Sequence, residues 1–451
     1  MLTFSQICSQ APTMRITVPA LVILAGCRLS FPFQAQSFVV RTVALNHQQR
    51  TNSLPRLQYR ELDEEDDNDV MLQVQTRAPP GFDMKETLAK QRASRSAMNV
   101  PLIRALLLNQ GIILAIATAL SAVLILASDG FNGFSNLNEI FRWSGEGEFD
   151  LASTPLPLLV GVAGAVPIVL FGNLIEDSDN REFANINFST IVMVMTLFGR
   201  RKSPPDEFLP DHLKGKTYPT TATTDALLQS FVLSVVTGVC EEIVFRMEVP
   251  GLLNHFFGGF PLLPLVDQAI VFALGHSSQR GTSFQENGIV VGLQLINGSW
   301  FGLIYLLSGG DLVVCMVAHA VYDFIVFFKT WMDSNGQIEY AESMWSEPLP
   351  AEVQKQVDTV LRKGKRLDPK MFNMVKRLFY TFDFDKNKTL SKSEVRKGFS
   401  YLALEKAGTP RPQEQVDALF DNYTSVADKS RLTFLDFLRL YATTSVARTV
   451  G

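Results

Sequence analysis

The sequence predicts an all-α protein: a polytopic transmembrane helix bundle of about six spans, followed by a soluble α-helical pair of helix–loop–helix units. Three observations predict it. Apolar residues make up 47% of the chain and crowd between about Leu102 and Trp331, while both ends are polar. Several runs in that stretch reach the ~20 residues that a helix needs to cross a ~30 Å hydrocarbon core. Beyond Trp331, apolar residues recur at helical spacing around a loop rich in oxygen ligands.

The front of the 451-residue chain has a composition of its own. No Asp or Glu precedes Glu61, whereas Arg15, Arg28, Arg41, Arg50, Arg56 and Arg60 are spread through residues 1–60 with many Ser and Thr. Val18 to Ala25 is too short to span a bilayer and has the length of a signal h-region. An Arg-rich, acid-free stretch follows Phe31-Pro32-Phe33. The order resembles a bipartite plastid presequence, a signal followed by a transit segment. A plastid membrane and the ER or another endomembrane both stay open, as does an ordinary polar tail. Residues 61–100 read as a linker that turns from acidic, ELDEEDDND from Glu61 to Asp69, to basic.

The net charge of −4 and the lack of a basic stripe argue against a nucleic-acid partner. Cys8, Cys27, Cys240 and Cys315 have neither metal-site nor disulfide-framework spacing.

The expected spans are Ala105 to Ala127, Pro155 to Ile175, Leu227 to Phe245, Phe260 to Gly275, Ile289 to Leu307 and Leu312 to Phe328. Ile186 to Phe198 is apolar but short and reads as an interfacial helix. Lys85, Lys90, Arg92, Arg95 and Arg104 precede the first span, and Arg200, Arg201, Lys202, Lys214 and Lys216 lie in a later loop. Positive-inside bias therefore places the N-terminus, and with an even number of spans the C-terminus, on the cytosolic or stromal side.

Three helix-borne pairs carry polar groups into this apolar region. Glu242 and Arg246 are i and i+4 and share a helix face. Glu241 points about 100° away and has no charge partner nearby in sequence. Phe272 and His276, then His319 and Asp323, repeat the i, i+4 spacing. One ionisable group at mid-membrane costs about 2.5–3.5 kcal/mol on insertion scales. Several on separate helices are tolerated most readily if they meet in one shared polar cavity. A desolvated Glu suits a general base near neutral pH, and imidazoles can orient water and donate to an oxyanion. Taken singly, Glu242 with Arg246 reads as a structural pair, and a lone intramembrane His as a helix–helix hydrogen-bond donor.

E-E-x-x-x-R, F-x-x-x-H and H-x-x-x-N/D, in this order and each within a membrane helix, resemble the CPBP family of intramembrane peptidases, which contains the Ras-converting, CAAX-processing endopeptidases. The resemblance covers about Leu227 to Phe328 and includes the glycines Gly292, Gly298, Gly302 and Gly309. It implies that Glu241 and His276 activate the attacking water, that His319 and Asp323 lie beside the scissile carbonyl, and that Glu242, Arg246 and Phe272 shape the site. Asp323 stands where an Asn amide would donate; it donates only if protonated and otherwise orients His319. The Glu/His/His set has zinc-ligand chemistry, but the resemblance favours a metal-free glutamate mechanism. The implied partners are the bilayer and a membrane-embedded or lipid-anchored protein substrate, with a prenylated CAAX C-terminus as the leading candidate.

After the spans, Val353, Val357, Val360 and Leu361 mark a short amphipathic helix. Asp383 to Glu394 then reads as an EF-hand calcium loop. Asp383, Asp385 and Asn387 give side-chain oxygens, Thr389 a carbonyl, Ser391 a water-bridged position and Glu394 the bidentate clamp. Lys388 occupies the sixth position, where Gly normally supplies positive φ, so weakened affinity is expected. Leu432 and Asp436 align as positions eight and twelve of a second loop starting at Ser425. Ala427 and Lys429 leave that loop unable to bind calcium.

The expected organisation is a presequence over 1–60, a linker over 61–100, a peptidase domain over 101–335, a linker with the amphipathic helix over 336–368 and an EF-hand pair over 369–445. The function expected is a calcium-regulated intramembrane endopeptidase. Its rivals are a non-proteolytic scaffold or chaperone with a calcium-sensing tail, a zinc metallopeptidase and a transporter.

Overall fold

A computed structural model describes residues 97–130, 133–140, 155–206, 214–215, 218–257, 263–276, 284–363, 369–405, 412–424 and 430–440. The stretch expected to be a presequence, with Cys8 and Cys27, and the expected acidic linker lie outside them, as does the stretch with Ala427 and Lys429 expected to form a second loop. Apart from two two-residue strands, the regular elements described are helical.

The chain is an integral membrane protein. Five helices among the described residues are long and apolar enough to cross a membrane. They are α1 (Val100–Asp129), α3 (Leu156–Asp177), α5 (Thr223–Glu242) with its continuation, α8 (Phe284–Leu307) and α9 (Leu312–Ser346). Between them lie α2 (Gly133–Ile140), α4 (Arg181–Phe198), α6 (Val249–Phe257) and α7 (Leu263–His276). Leu108, Leu159, Leu170 and Leu307 are exposed, as lipid-facing side chains are.

The fourth expected span falls on residues of which only part are described. Within the run from Phe260 to Gly275, the described residues belong to α7, Leu263–His276, and residues 258–262 and 277–283 on either side lie outside the described residues. The run from Ile186 falls within α4, an 18-residue helix. Its start is fixed by Asn180, whose Oδ1 accepts from Glu182 N–H at 2.9 Å. Its end is fixed by Gly199 at φ +67°, a left-handed cap that suits glycine.

Two compact units arise from this chain. The first is built around Arg104–Ile168 and Leu233–Asp323. Close helix approach there depends on glycine: a Cβ at Gly238 would stand 2.9 Å from Met316 O, and one at Gly161 would stand 2.6 Å from Val317 Cβ. Trp300 Nε1 donates to Gly164 O at 2.9 Å.

The second unit is built around Val169–Val232 and Phe324–Gly451. Its spine is the far end of α9. The 35 residues of α9 give about 52 Å at ~1.5 Å per residue, well beyond the need of a single span. The helix therefore continues unbroken past residue 335, where a linker was expected. One face of this extension holds the turn after α4. Buried Trp331 donates to Gly199 O at 2.8 Å, and Asn335 Oδ1 accepts from Arg201 N–H at 2.8 Å. Arg201 pairs with Glu339 through two 2.8 Å bonds, and Arg200 pairs with Glu342 at 2.6 Å. Lys376 Nζ caps the last turn, donating to Trp345 O at 2.8 Å and Glu347 O at 2.6 Å.

The remaining elements are α10 (Ala351–Lys363), α11 (Pro369–Phe382), β1 (Leu390–Ser391), α12 (Lys392–Glu405), α13 (Gln413–Tyr423) and β2 (Arg431–Leu432). Residues 434–440 are again helical. Phe379, Phe382, Val395, Phe420, Phe437 and Leu438 form their shared core, and Val357 of α10 joins it. β1 and β2 pair antiparallel with Leu390 opposite Leu432.

Candidate active site and cation loop

Helix α5 ends at Glu242 and widens into a π-helical turn, Ile243–Glu248. The Val249 N–H reaches back to Val244 O, an i to i+5 bond. Such bulges are rare and frequent at functional sites. The expected 100° step along a regular helix therefore does not continue past Glu242. All six residues of the turn are buried, as are Glu241 and Glu242.

Glu242 is the hub. Its Oε1 accepts from His319 Nδ1 at 2.6 Å. The same oxygen stands 3.0 Å from Arg246 Nη1 as an ion pair, while Arg246 makes its hydrogen bond through Nη2 to Gly298 O at 3.4 Å. Aromatic rings flank the guanidinium, Phe272 at 5.0 Å and Phe301 at 5.5 Å from the ring centroids. Gln268 Nε2 also donates to Gly298 O, at 3.1 Å. The buried charge is thus paired and enclosed by π faces.

His319 stacks on Phe301, with centroids 4.8 Å apart and planes 15° apart. Its Nε2 lies 3.7 Å from Asp323 Oδ2 and 3.9 Å from Glu241 Oε2. Both distances exceed hydrogen-bond reach. On its Nδ1 side His319 is held by the hydrogen bond to Glu242, and on its Nε2 side it faces Asp323 as an ion pair. Glu241 Oε1 accepts from Gln110 Nε2 of α1 at 3.1 Å.

Five of the expected residues, Glu241, Glu242, Arg246, His319 and Asp323, converge within the first unit, and Phe272 walls them. His276 is the last residue of α7, and its side chain lies outside the described residues. Gln110, Gln268, Phe301 and the Gly298 carbonyl were missed. Gln110 was legible only as one of several polar residues, with Asn109, Thr118 and Ser121, inside a mainly apolar span. Phe301 carried no signal, being one of 33 phenylalanines.

Residues 223–325 match the family model of Rce1-like type II CAAX prenyl endopeptidases. This Rce1-like segment is less than a quarter of the chain, yet it contains the three motifs and every residue of the constellation except Gln110. No curated protein and no solved structure matches the chain.

Outside the Rce1-like segment, the loop from Asp383 to Glu394 gathers carboxylates. Ligand oxygens of Asp383, Asp385 and Glu394 lie within 4.8 Å of one another. Asp383 Oδ1 accepts from Asn387 N–H and Oδ2 from Lys388 N–H, each at 3.0 Å. Glu394 folds back over the loop: Oε1 accepts from Asp385 N–H at 3.1 Å and Oε2 from Ser391 N–H at 2.8 Å. Asn387 Oδ1 accepts from Thr389 N–H at 2.8 Å.

Burial pushes the Asp383 carboxyl above its ordinary range, and the neighbouring Glu394 and Asp385 charges add to the shift. A cation among them would relieve that repulsion, so the donor set fits a hard, oxygen-seeking ion. Lys388 adopts φ +65° and Lys386 φ +61°. The glycine-like conformation expected at the sixth position is thus present despite the Cβ. In the partner segment, Asp436 Oδ2 accepts from Thr433 Oγ1 at 2.6 Å, as Glu394 Oε2 accepts from Ser391 Oγ at 2.8 Å.

Proposed function

We propose that this protein is an intramembrane glutamate-type endopeptidase of the CAAX-processing class, acting on a lipid-anchored or membrane-embedded protein, with a calcium-binding EF-hand on its C-terminal side. The observation that carries the reading is the orientation of His319. A carboxylate on Nδ1 fixes that nitrogen as the donor, and Nε2 is left facing both Glu241 and Asp323.

In the mechanism, Glu241, assisted by His276, takes a proton from the water as its oxygen bonds to the scissile carbonyl carbon, and returns that proton to the leaving amine nitrogen as the C–N bond breaks. Gln110 holds the Glu241 carboxylate from the opposite helix. Protonated His319 donates from Nε2 to the developing oxyanion, and Asp323 offsets the imidazolium charge. Glu242 and Arg246 keep the imidazole fixed. A prenylated C-terminal CAAX peptide is the substrate class that the Rce1-like match suggests, because its lipid partitions into the bilayer beside the site.

At the loop, Asp383, Asp385, Asn387, the Thr389 carbonyl, Ser391 and Glu394 would hold one calcium ion. The ion would supply charge neutralisation there and no chemistry at the bond being cut.

The test is cleavage of a farnesylated CAAX peptide by the purified protein in detergent, beside Glu241→Gln. Loss of turnover of at least about a hundredfold, with the thermal transition kept, is the expected result. Unchanged turnover in that variant ends the glutamate mechanism. No cleavage by the wild type of farnesylated, geranylgeranylated or transmembrane peptides favours a scaffold.

A further inference from the structure

We propose that the extension of α9 is a working part of the cation loop, with Gln337 and Tyr340 passing the loop's occupancy to the helix that also carries His319 and Asp323. The inference rests on the calcium reading above and adds how that site is read.

The loop is gripped from the side by α9. Gln337 Nε2 donates to Tyr380 O at 3.0 Å, Thr381 O at 3.2 Å and Asp383 O at 2.9 Å. The first two carbonyls lie in the last turn of α11, the helix that enters the loop, where a helix end leaves acceptors without intrahelical partners, and the third belongs to the first loop residue. The Tyr340 hydroxyl donates to Asp383 Oδ2, the first ligand residue. Lys386 Nζ lies 5.7 Å from the centroid of the Tyr340 ring. Neither Gln337 nor Tyr340 belongs to the loop motif.

The helix that leaves the loop is tied elsewhere. Arg396 of α12 pairs with Asp179, just before α4, at 2.5 Å. Lys397 Nζ donates to Glu176 O at 2.7 Å. Tyr401 meets Phe188 of α4 with centroids 5.4 Å apart. Entering and leaving helices are thus fastened to different neighbours, α11 to α9 and α12 to α4.

Closing such a loop on a cation changes the angle between its two helices. With the ends fastened this way, that change strains α9 against α4. Tyr340 and Gln337 are positioning residues, acting on the metal loop from outside it. Asp383 Oδ2 accepts from both Lys388 N–H and the Tyr340 hydroxyl, and Oδ1 accepts from Asn387 N–H, so the α9 contact bears directly on a residue that would hold the ion.

The experiment is hydrogen–deuterium exchange on the full-length protein in detergent, with calcium or with chelator, alongside calorimetric titration with calcium. Wild type is expected to bind one calcium and to gain at least about threefold protection over residues 332–346. Tyr340→Phe combined with Gln337→Ala is expected to bind calcium with the same stoichiometry, fold normally by circular dichroism and lose that gain. Tyr340→Phe alone, which keeps the ring, is expected to lose part of it. Calcium binding without a change over 332–346, or with the change intact in the double variant, overturns the coupling and leaves the calcium site standing. No calcium binding by the wild type overturns both.

Discussion

His319 Nδ1 donates to Glu242 Oε1 across 2.6 Å, joining two residues 77 apart in sequence. Glu242 also faces Arg246 at 3.0 Å, so one fully buried carboxylate serves two cations or potential cations. Removing it leaves Arg246 buried and unpaired. Breaking such a pair costs about 3–5 kcal/mol. Glu242→Ala should therefore lower the thermal transition of the purified protein sharply and abolish cleavage, whereas Glu241→Gln should abolish cleavage alone. Differential scanning of both variants, with the peptide assay, separates the two glutamates. Equal stability would mean that Glu242 is not the hub.

Phe301 stacks on the His319 ring and also faces Arg246. Phe301→Leu keeps an apolar side chain and removes both π contacts. Each is worth about 0.5–1.5 kcal/mol, so about a tenfold drop in kcat is expected, with folding retained. Steady-state kinetics on the variant test this, and an unchanged kcat would show the stacking to be packing alone.

Gly238 is where α5 meets α9. An added Cβ would stand 2.9 Å from Met316 O and 3.0 Å from Ala320 N, both backbone atoms that cannot swing aside. Gly238→Val should separate the helices that carry Glu241 and His319, at a cost of about 1–3 kcal/mol, with activity falling more than stability. Gly288→Ala, where a Cβ meets nothing within 4 Å, is the matched control. Similar effects from both would remove the argument.

Lys388 holds φ +65°. The left-handed conformation costs a residue with a Cβ about 1–2 kcal/mol. Lys388→Gly should relieve it, remove a positive charge from the loop and tighten calcium binding about tenfold or more by calorimetry. Weaker binding in the variant would mean that the lysine contributes to the site.

The glutamate mechanism needs no zinc. Cleavage should survive exhaustive treatment with a zinc-selective chelator at fixed calcium. Loss of turnover that added zinc restores would replace it with a metallopeptidase.

The sequence by itself determined the all-helical bundle, because apolar runs of bilayer length have few other stable solutions. It also determined that Glu241, Glu242, Arg246, His319 and Asp323 belong together, because buried ionisable groups on separate helices are costly apart. Tertiary structure decided which glutamate holds His319. Glu241 and Glu242 are adjacent and chemically identical, and only the widened turn after α5 and the approach of α9 at Gly238 separate their roles. It alone supplied Gln110 and Phe301, whose parts in the site depend on packing against residues far away in the chain. It carried α9 unbroken from Leu312 to Ser346. Hydropathy marks where a chain is apolar, whereas a helix ends where its backbone loses its next hydrogen-bond partner.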